Sequence, residues 1–142
     1  MSDNTRLEFS DGLVIDIYVP EKYVQLNEEN DTSLPVKVSY GEFSVLYTGD
    51  MTSFAERELI HQADVDADVL KVGHHGSRDS SCDEFIKAVS PDYAIISCGE
   101  NNVYAHPHAE TLERLRGTAI LRTDLMGDVR IRAHKNGSCD IK

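Results

Sequence analysis

The hydrophobic residues of the chain recur with two different periods, and the period changes several times along the sequence. Residues 13–19 are rich in β-branched side chains, and residues 36–40 alternate between apolar and polar positions. Both segments are typical of strands. Residues 43–47 continue the alternation after a two-residue Gly-Glu gap, so we predict an antiparallel hairpin here.

After residue 47 the period becomes helical. Ser53 and Glu56 have the spacing of a capping box, which predicts that a helix begins at Ser53 and runs for about ten residues. Ser81 and Glu84 form a second such pair ahead of a predicted helix at residues 82–89. The other predicted segments are strands at 68–72 and 93–97, a helix at 107–115, and a final strand pair at 119–122 and 128–133 around Met126 and Gly127. This order favours an α/β fold, α+β by content, with one mixed sheet and the helices on one side.

Length and charge narrow the range of functions. A chain of 142 residues is expected to form a single domain over residues 1–142. The formal net charge of −11 disfavours nonspecific attraction to nucleic acid, because that attraction depends on lysine and arginine displacing counterions. The three cysteines (Cys82, Cys98 and Cys139) lack the spacing of a disulfide framework or a zinc ribbon and are expected to be free thiols.

No membrane or targeting signal is visible in these residues. The sequence has no run of roughly 20 apolar residues, and its first residues lack an apolar core behind a basic segment. We therefore expect a soluble, untargeted chain, with a cytoplasmic location favoured. Nucleic acid stays among the candidate partners, because bound divalent ions would offset part of the acidic charge.

Three short polar motifs follow the predicted strands, where α/β enzymes collect their functional groups. In the first motif, Thr48-Gly49-Asp50, the glycine permits a sharp turn and the carboxylate projects from a rigid strand end. Asp50 is therefore a candidate metal ligand. The alternative interpretation is an ordinary turn residue.

The second motif, VGHHGS at residues 72–77, places His74 and His75 between two glycines. Such residues are poorly suited to a core or a helix, but they allow the backbone to approach an ion closely. One histidine is a candidate metal ligand, and the choice between the two stays open. The other histidine, or Ser77, is a candidate phosphate contact. A histidine pair on a loop is also often incidental.

The third motif, His106-Pro107-His108, opens a predicted helix. Proline suits the first helical position, which would place both histidines around exposed backbone amides that attract anions. The motif thus predicts a pocket for a phosphate or a metal-bound anion. The alternative is a pair of solvent-exposed loop histidines.

The ordered set TGD, KVGHHGS and HPH resembles the second half of the metallo-β-lactamase-like domain of ComEC proteins. Further similar segments lie at residues 30–34, 67–71, 94–97 and 122–124, so the resemblance runs across nearly all of the chain. It implies the C-terminal half of an αββα sandwich, in which two packed sheets hold one or two divalent metals, such as zinc or manganese. By the same resemblance the expected chemistry is phosphodiester hydrolysis of DNA during uptake, by a full-length protein associated with the membrane.

The resemblance also implies roles for individual residues. Asp50 matches a carboxylate that bridges two metals, and either His74 or His75 matches a late histidine ligand. His106 and His108 match the border of the substrate pocket, where a histidine near the leaving oxygen could act as general acid. The candidate catalytic residues are Asp50, His75 and His108. The candidate substrate-binding residues are Ser77 and His106.

The sequence departs from the family at one point, because the HxHxDH segment that supplies most metal ligands does not occur in it. We therefore expect an incomplete hydrolase site with little or no activity in this chain alone, and no metal bound without further ligands. A bare sheet face is expected to be covered by a homodimer partner or by a separately encoded N-terminal half. The alternatives are a non-catalytic partner-binding module that keeps the fold, and a generic phosphate-binding domain without metal.

Overall fold

The structure is a computed structural model that describes residues 4–20 and 29–142. Seven strands form one sheet in which the spatial order follows the chain order. They are β1 (Thr5–Glu8), β2 (Leu13–Ile17), β3 (Val36–Tyr40), β4 (Phe43–Tyr47), β5 (Val69–Lys71), β6 (Tyr93–Ile96) and β7 (Ala119–Arg122). Neighbours from β1 to β4 are antiparallel, and neighbours from β4 to β7 are parallel.

Helices connect the parallel strands. They are α1 (Ser53–Gln62), α2 (Asp83–Val89) and α3 (Ala109–Arg114), and a short helix α4 (Thr123–Met126) follows β7. Short 3₁₀ turns lie at Glu29–Thr32 and Gly73–Gly76. The last two strands, β8 (Ile131–Ala133) and β9 (Cys139–Ile141), pair only with each other. None of the helices in residues 4–20 and 29–142 is long and apolar enough to cross a bilayer.

The order of the parallel strands explains why the helices share one face. Crossovers between parallel strands are right-handed, so α1, α2 and α3 all pack on the same side when the strands advance in one direction. On that side Leu46, Leu70 and Ala94 are completely buried and pack with Leu59 and Phe85 in one core. The prediction of a mixed sheet with its helices on one side is confirmed.

The opposite face of the sheet is only partly covered. The β8–β9 hairpin lies across it and leaves a cleft of about 330 Å³. The cleft is lined mainly by apolar side chains from the main sheet and from the region of the hairpin: Leu13, Val38, Tyr40, Phe43, Val45, Tyr47, Ile95, Val129, Ile131 and Ala133. Tyr47 is 46% exposed. The expected open sheet face is therefore present, although the hairpin shields one part of it.

The end of the chain differs from the prediction. Residues 119–122 do not pair with residues 128–133; they join the main sheet as β7 beside β6. Residues 123–126 form α4, and β8 pairs with β9 instead. The sequence offered a glycine turn at Gly127, but pairing is set by the nearest open strand edge, which a local pattern does not identify.

Other boundaries also differ. Pro107 is not the first residue of α3, because His108 is the N-cap and the helix begins at Ala109. Strand β1, four mostly exposed residues at the sheet edge, carried no clear alternation and was missed. Residues 25–28 of the predicted polar segment 25–33 lie outside the described residues, and Glu29–Thr32 of the same segment form a short 3₁₀ turn.

Both predicted capping boxes are wrong, for the same physical reason. Thr52 is the N-cap of α1 and Cys82 is the N-cap of α2. Glu56 is fully buried, and its two carboxylate oxygens accept hydrogen bonds from the amides of Ser81 (2.6 Å) and Cys82 (2.9 Å). The carboxylate therefore caps α2 from a neighbouring helix, and it gives no cap to its own. Ser53 instead donates its hydroxyl to the carbonyl of Asp79 at 2.9 Å.

Burial raises the pKa of Glu56 from its usual 4.5 to about 7. The two amide hydrogen bonds and the charge of Arg114 lower the pKa and so oppose this shift. A folded-state pKa above the unfolded value means that folding takes up a proton between these two pH values. Stability from this residue is therefore present at low pH and lost as the pH rises toward 7.

We predict that Glu56→Gln removes this pH dependence. The free energy of unfolding of the wild type should fall by about 2–3 kcal/mol relative to the variant between pH 5 and pH 8. Urea unfolding at both pH values measures the difference, and any constant cost of the amide cancels. The exposed Glu100→Gln is the matched control, and an equal pH dependence in Glu56→Gln and wild type would contradict the prediction.

Candidate metal and phosphate site

Two of the three sequence motifs lie at one edge of the sheet, and the third, HPH, reaches them through the ring contact of His106 with His74. Asp50 follows β4, the two adjacent histidines follow β5, and Ser97 follows β6. These strands are parallel neighbours, so their carboxyl ends lie side by side. This edge is where open α/β sheets form their binding crevices.

The Asp50 turn is held from two sides. Gly49 has a φ of +61°, and a Cβ placed on it would come within 3.1 Å of the Ser33 side chain. The amide of Asp50 donates to Ser33 Oγ at 3.2 Å. The carbonyl of Gly49 accepts the amide of His74 at 3.0 Å, which ties this turn to the histidine motif.

His75 has the clearest ligand geometry. Its Nδ1 lies 2.6 Å from the carbonyl oxygen of Ser97. A carbonyl only accepts hydrogen bonds, so Nδ1 carries the hydrogen and the Nε2 of the neutral ring has a free lone pair. That Nε2 lies 3.6 Å from Asp50 Oδ1, and both side chains are about half exposed. A backbone carbonyl that fixes the tautomer in this way is a common partner of metal-binding histidines.

The types of donor atom in the Asp50–His75 pair, and the distance between them, suit a divalent metal. The separation of 3.6 Å is too long for a hydrogen bond. Two ligands bonded to one tetrahedral ion are about 3.3 Å apart, close to this value. Carboxylate and imidazole are also suitable donors for zinc or manganese.

The number of donors is smaller than a metal needs. Within residues 4–20 and 29–142, no group of three or more histidine, cysteine, aspartate or glutamate side chains is arranged to hold an ion. His74 adds one unusual feature, because its Nδ1 is buried without a hydrogen-bond partner in that part of the chain. The described residues therefore bring together fewer donors than a metal coordination sphere needs.

The backbone of the histidine motif is left-handed at two consecutive residues. His74 has φ +47° and His75 has φ +54°, a region that non-glycine residues rarely occupy. Gly76 follows with φ +84°, and a Cβ on it would lie 2.6 Å from the Cβ of Pro107. The glycine of HHGS is therefore required by the close approach of the HPH segment.

A buried polar network holds this loop on its far side. Ser80 Oγ lies 2.9 Å from the carbonyl oxygen of Gly73 and 3.0 Å from that of Ser77, and its single hydroxyl hydrogen is shared between them. Thr111 Oγ1 donates to the carbonyl of Ser77 at 2.8 Å, and Arg114 donates to the carbonyl of Ser80 at 2.9 Å. Helix α3 therefore fixes the loop that carries the histidines.

Ser77 belongs to this network. It is 4% exposed, and its Oγ accepts the amide of Asp79 at 3.3 Å. The buried hydroxyl serves the turn, which does not support the predicted phosphate contact.

The histidines of the HPH motif lie beside the others. The ring of His106 is 5.7 Å from that of His74 and 4.8 Å from that of His108, both edge-on, and it stacks with Tyr104 at 5.7 Å. Burial lowers the pKa of His106, the neighbouring histidines add to this effect, and Asp50 opposes it. His106 is therefore expected to be neutral at pH 7.

His108 has a defined tautomer. Its Nδ1 accepts the amide hydrogen of Arg78 at 3.0 Å. The hydrogen of the neutral ring is therefore on Nε2, and this atom is a hydrogen-bond donor. A neutral imidazole donates a hydrogen bond readily but gives up its proton poorly.

Sequence reasoning missed three supporting groups: the Ser97 carbonyl, the Arg78 amide and the Glu56 carboxylate. The first two are backbone groups, which leave no signal in residue identity. Glu56 was assigned to the wrong helix end because its real partners, Ser81 and Cys82, are 25 and 26 residues away.

We predict that Gly76→Ala disrupts the site. A Cβ at this positive φ would also meet Pro107, so the variant should lose about 2–4 kcal/mol of unfolding free energy and displace the HPH segment. Chemical denaturation and the amide chemical shifts of residues 104–106 and 108 measure both effects. Gly99→Ala is the control, because nothing lies within 4 Å of a Cβ there. Equal stability of the two variants would contradict this account of Gly76.

Known proteins resemble this chain over most of its length. The sequence matches the metallo-beta-lactamase superfamily over residues 22–100. ComE operon protein 3 of Bacillus subtilis is 43% identical over 111 residues, covering 76% of this chain and 14% of that protein. Competence protein ComA of Neisseria gonorrhoeae is 34% identical over 131 residues, covering 89% of this chain and 19% of that protein.

Recombination protein 2 of Haemophilus influenzae is 37% identical over 122 residues, covering 84% of this chain and 15% of that protein. The chain thus spans about a seventh to a fifth of the length of these relatives. The predicted resemblance to ComEC proteins is confirmed by these matches. With its mixed sheet, its motifs at the strand ends and a family match over more than half of its length, the chain belongs to the metallo-β-lactamase superfamily.

Proposed function

We propose that this chain is part of a metal-dependent phosphodiesterase domain acting on DNA during uptake. The observation that carries the proposal is the Asp50–His75 pair, with Nε2 of His75 presented toward the carboxylate by the Ser97 carbonyl. Members of the superfamily usually bind divalent metals. The competence and recombination proteins among the relatives favour DNA as the substrate.

Asp50 and His75 would hold the metal, with His74 as a further donor through rotation of its ring. Bound there, a divalent ion supplies positive charge to the attacked phosphate and activates water near neutral pH. The chain's own residues orient this chemistry: Ser33 fixes the Asp50 turn, and the Ser97 carbonyl fixes the tautomer of His75.

The Arg78 hydrogen bond changes the role proposed for His108. With Nδ1 occupied by the amide, the ring offers Nε2–H as a donor. We therefore assign His108 a hydrogen bond to a phosphate oxygen, where negative charge builds up, in place of general acid catalysis. His106 packs against it and orders the pocket border.

The site remains incomplete in this proposal. Two or three donors do not close a metal sphere, so we infer that the others come from outside the described part of this chain or from a second chain. We expect residues 1–142 to act as a single domain with little or no hydrolase activity alone. The second candidate, a partner-binding module without catalysis, is favoured by the half-open apolar sheet face.

The proposal predicts weak metal binding that depends on both ligands. Mn²⁺ should broaden amide resonances near Asp50 and His75, and Asp50→Asn or His75→Gln should raise the required concentration about tenfold or more. NMR titration measures this effect. His61→Gln, at the exposed end of α1, is the control and should behave as wild type.

The same samples test catalysis. With Mn²⁺ the chain alone should hydrolyse bis(p-nitrophenyl) phosphate no faster than the Asp50→Asn variant. Unchanged Mn²⁺ broadening in both ligand variants would refute the metal site. Turnover that Asp50→Asn abolishes would instead show that the site is complete in this chain.

We also predict that the open sheet face mediates association. Val45→Lys places a charge among the apolar side chains of the cleft and should weaken self-association by at least tenfold, measured by sedimentation at several concentrations. Val103→Lys is the control, because Val103 is 91% exposed on a loop outside the cleft lining. If the wild type is a monomer at all concentrations, the prediction of self-association is wrong, and a different chain would be the partner of this face.

A further inference from the structure

Lys71 is a cation at the site that directly precedes the VGHHGS motif. It ends β5, where its register partners are Tyr47 and Ile95, two residues that line the open cleft. Its neighbour Leu70 is completely buried in the helix-side core. Alternation along the strand therefore places the Lys71 side chain on the open face, at the edge that carries Asp50.

The ammonium of Lys71 has hydrogen-bonding capacity to spare. Its Nζ donates to the carbonyl oxygen of Val72 at 2.9 Å. Among residues 4–20 and 29–142, no carboxylate lies within 4 Å of it. An ammonium has three N–H donors, so two of them are left for a ligand.

Other cations of this region are already engaged. Arg122 forms a bidentate pair with Asp124 at 2.6 and 3.0 Å. Arg78 lies 3.5 Å from Glu110, and Arg114 is bound to backbone carbonyls. Lys71 thus differs from Arg78 and Arg122 in having no carboxylate of the described residues at contact distance, and from Arg114 in donating to only one backbone carbonyl.

The surroundings of Lys71 are partly apolar but not free of charge. Burial lowers the pKa of the Lys71 amine, while the negative charges of Asp50 and of Cys98, when ionised, oppose the shift. The amine is therefore close enough to Asp50 for the two groups to interact. Partial removal from water also strengthens the attraction of an ammonium for an anion.

We propose that the Lys71 ammonium binds a non-bridging oxygen of the phosphodiester held at the Asp50–His75 pair. The inference rests on the proposed phosphodiesterase function and adds the group that anchors the substrate. A phosphodiester approaching a chain of net charge −11 meets the Asp50 carboxylate, and a nearby ammonium offsets that repulsion. Lys71 thereby supplies local positive charge in an acidic protein.

A purely structural role makes a different prediction. The Lys71 stem could simply cover the apolar sheet while its amine caps the Val72 carbonyl. Lys71→Met keeps the length of the stem and removes the charge, whereas Lys71→Arg keeps the charge. A structural role would alter the stability of Lys71→Met without altering anion binding.

The test is a titration of the wild-type chain with inorganic phosphate at low ionic strength, followed through the amide resonances of residues 71–76. We expect saturable shifts in the wild type, at least tenfold weaker binding in Lys71→Met, and binding within threefold of wild type in Lys71→Arg. Lys87→Met, on the exposed side of α2, is the matched control and should bind as wild type. Saturable binding that Lys71→Met leaves unchanged, or no saturable binding in the wild type, would overturn the proposal.

Mn²⁺ broadening in the same variants separates this inference from the proposed function. Lys71→Met should keep the broadening near Asp50 and His75 while losing phosphate. If Mn²⁺ broadening persists and Lys71→Met leaves phosphate binding unchanged, the role of Lys71 is rejected and the metal site stands. If phosphate binding depends on Lys71 and no Mn²⁺ broadening is seen, the metal site is rejected and Lys71 stands as an anion-binding residue.

Discussion

The left-handed backbone at His74 and His75 is the constraint on which the rest of the site depends. Each such residue costs about 1–2 kcal/mol, so the turn persists only because its surroundings hold it. The hydrogen bonds that do so come from three separate elements: His74 N to Gly49 O (3.0 Å), Ser80 Oγ to Gly73 O (2.9 Å) and His108 N to Gly76 O (2.9 Å). The Asp50 turn, the histidine turn and the start of α3 are therefore coupled, and a shift in one of them changes the donor geometry of the others.

Features of the structure that depend on residues close together in the sequence could be predicted, and features that depend on distant residues could not. The β3–β4 hairpin and helix α2 have strong local periodicity, and their predicted positions agree with the structure within one residue. The sequence placed Asp50 and the histidine pair at strand ends but left the choice between His74 and His75 open, and the structure puts His75 Nε2 3.6 Å from Asp50 Oδ1. The capping of α2 by Glu56 and the pairing of β7 with β6 involve partners more than 20 residues apart, so no local spacing encodes them. Backbone groups such as the Ser97 carbonyl have no sequence signal at all.

The acidic charge of the chain and an anionic substrate are compatible when charge is considered locally. Net charge governs long-range encounter, whereas the energy of a bound phosphate depends on groups within a few ångströms. At the sheet edge the neutral ring of His108 presents an N–H donor and Lys71 presents an ammonium. Asp50 is a repulsive charge in isolation, and in the proposed function it would become useful only when a divalent cation reverses the sign of the local field. The same carboxylate would then oppose substrate binding without metal and support it with metal.

The open sheet face and the incomplete donor set are two aspects of one geometry. The helices bury one side of the sheet, and the β8–β9 hairpin covers only part of the other. Tyr47 and Lys71 extend this open face to the strand ends that carry Asp50 and His75. In the proposed function, a polypeptide that covered the apolar face would thus reach the edge where further metal ligands are needed, and it would also remove water from around Lys71. Because burial of the face supplies the binding free energy, assembly of the site and assembly of the fold would occur in a single step.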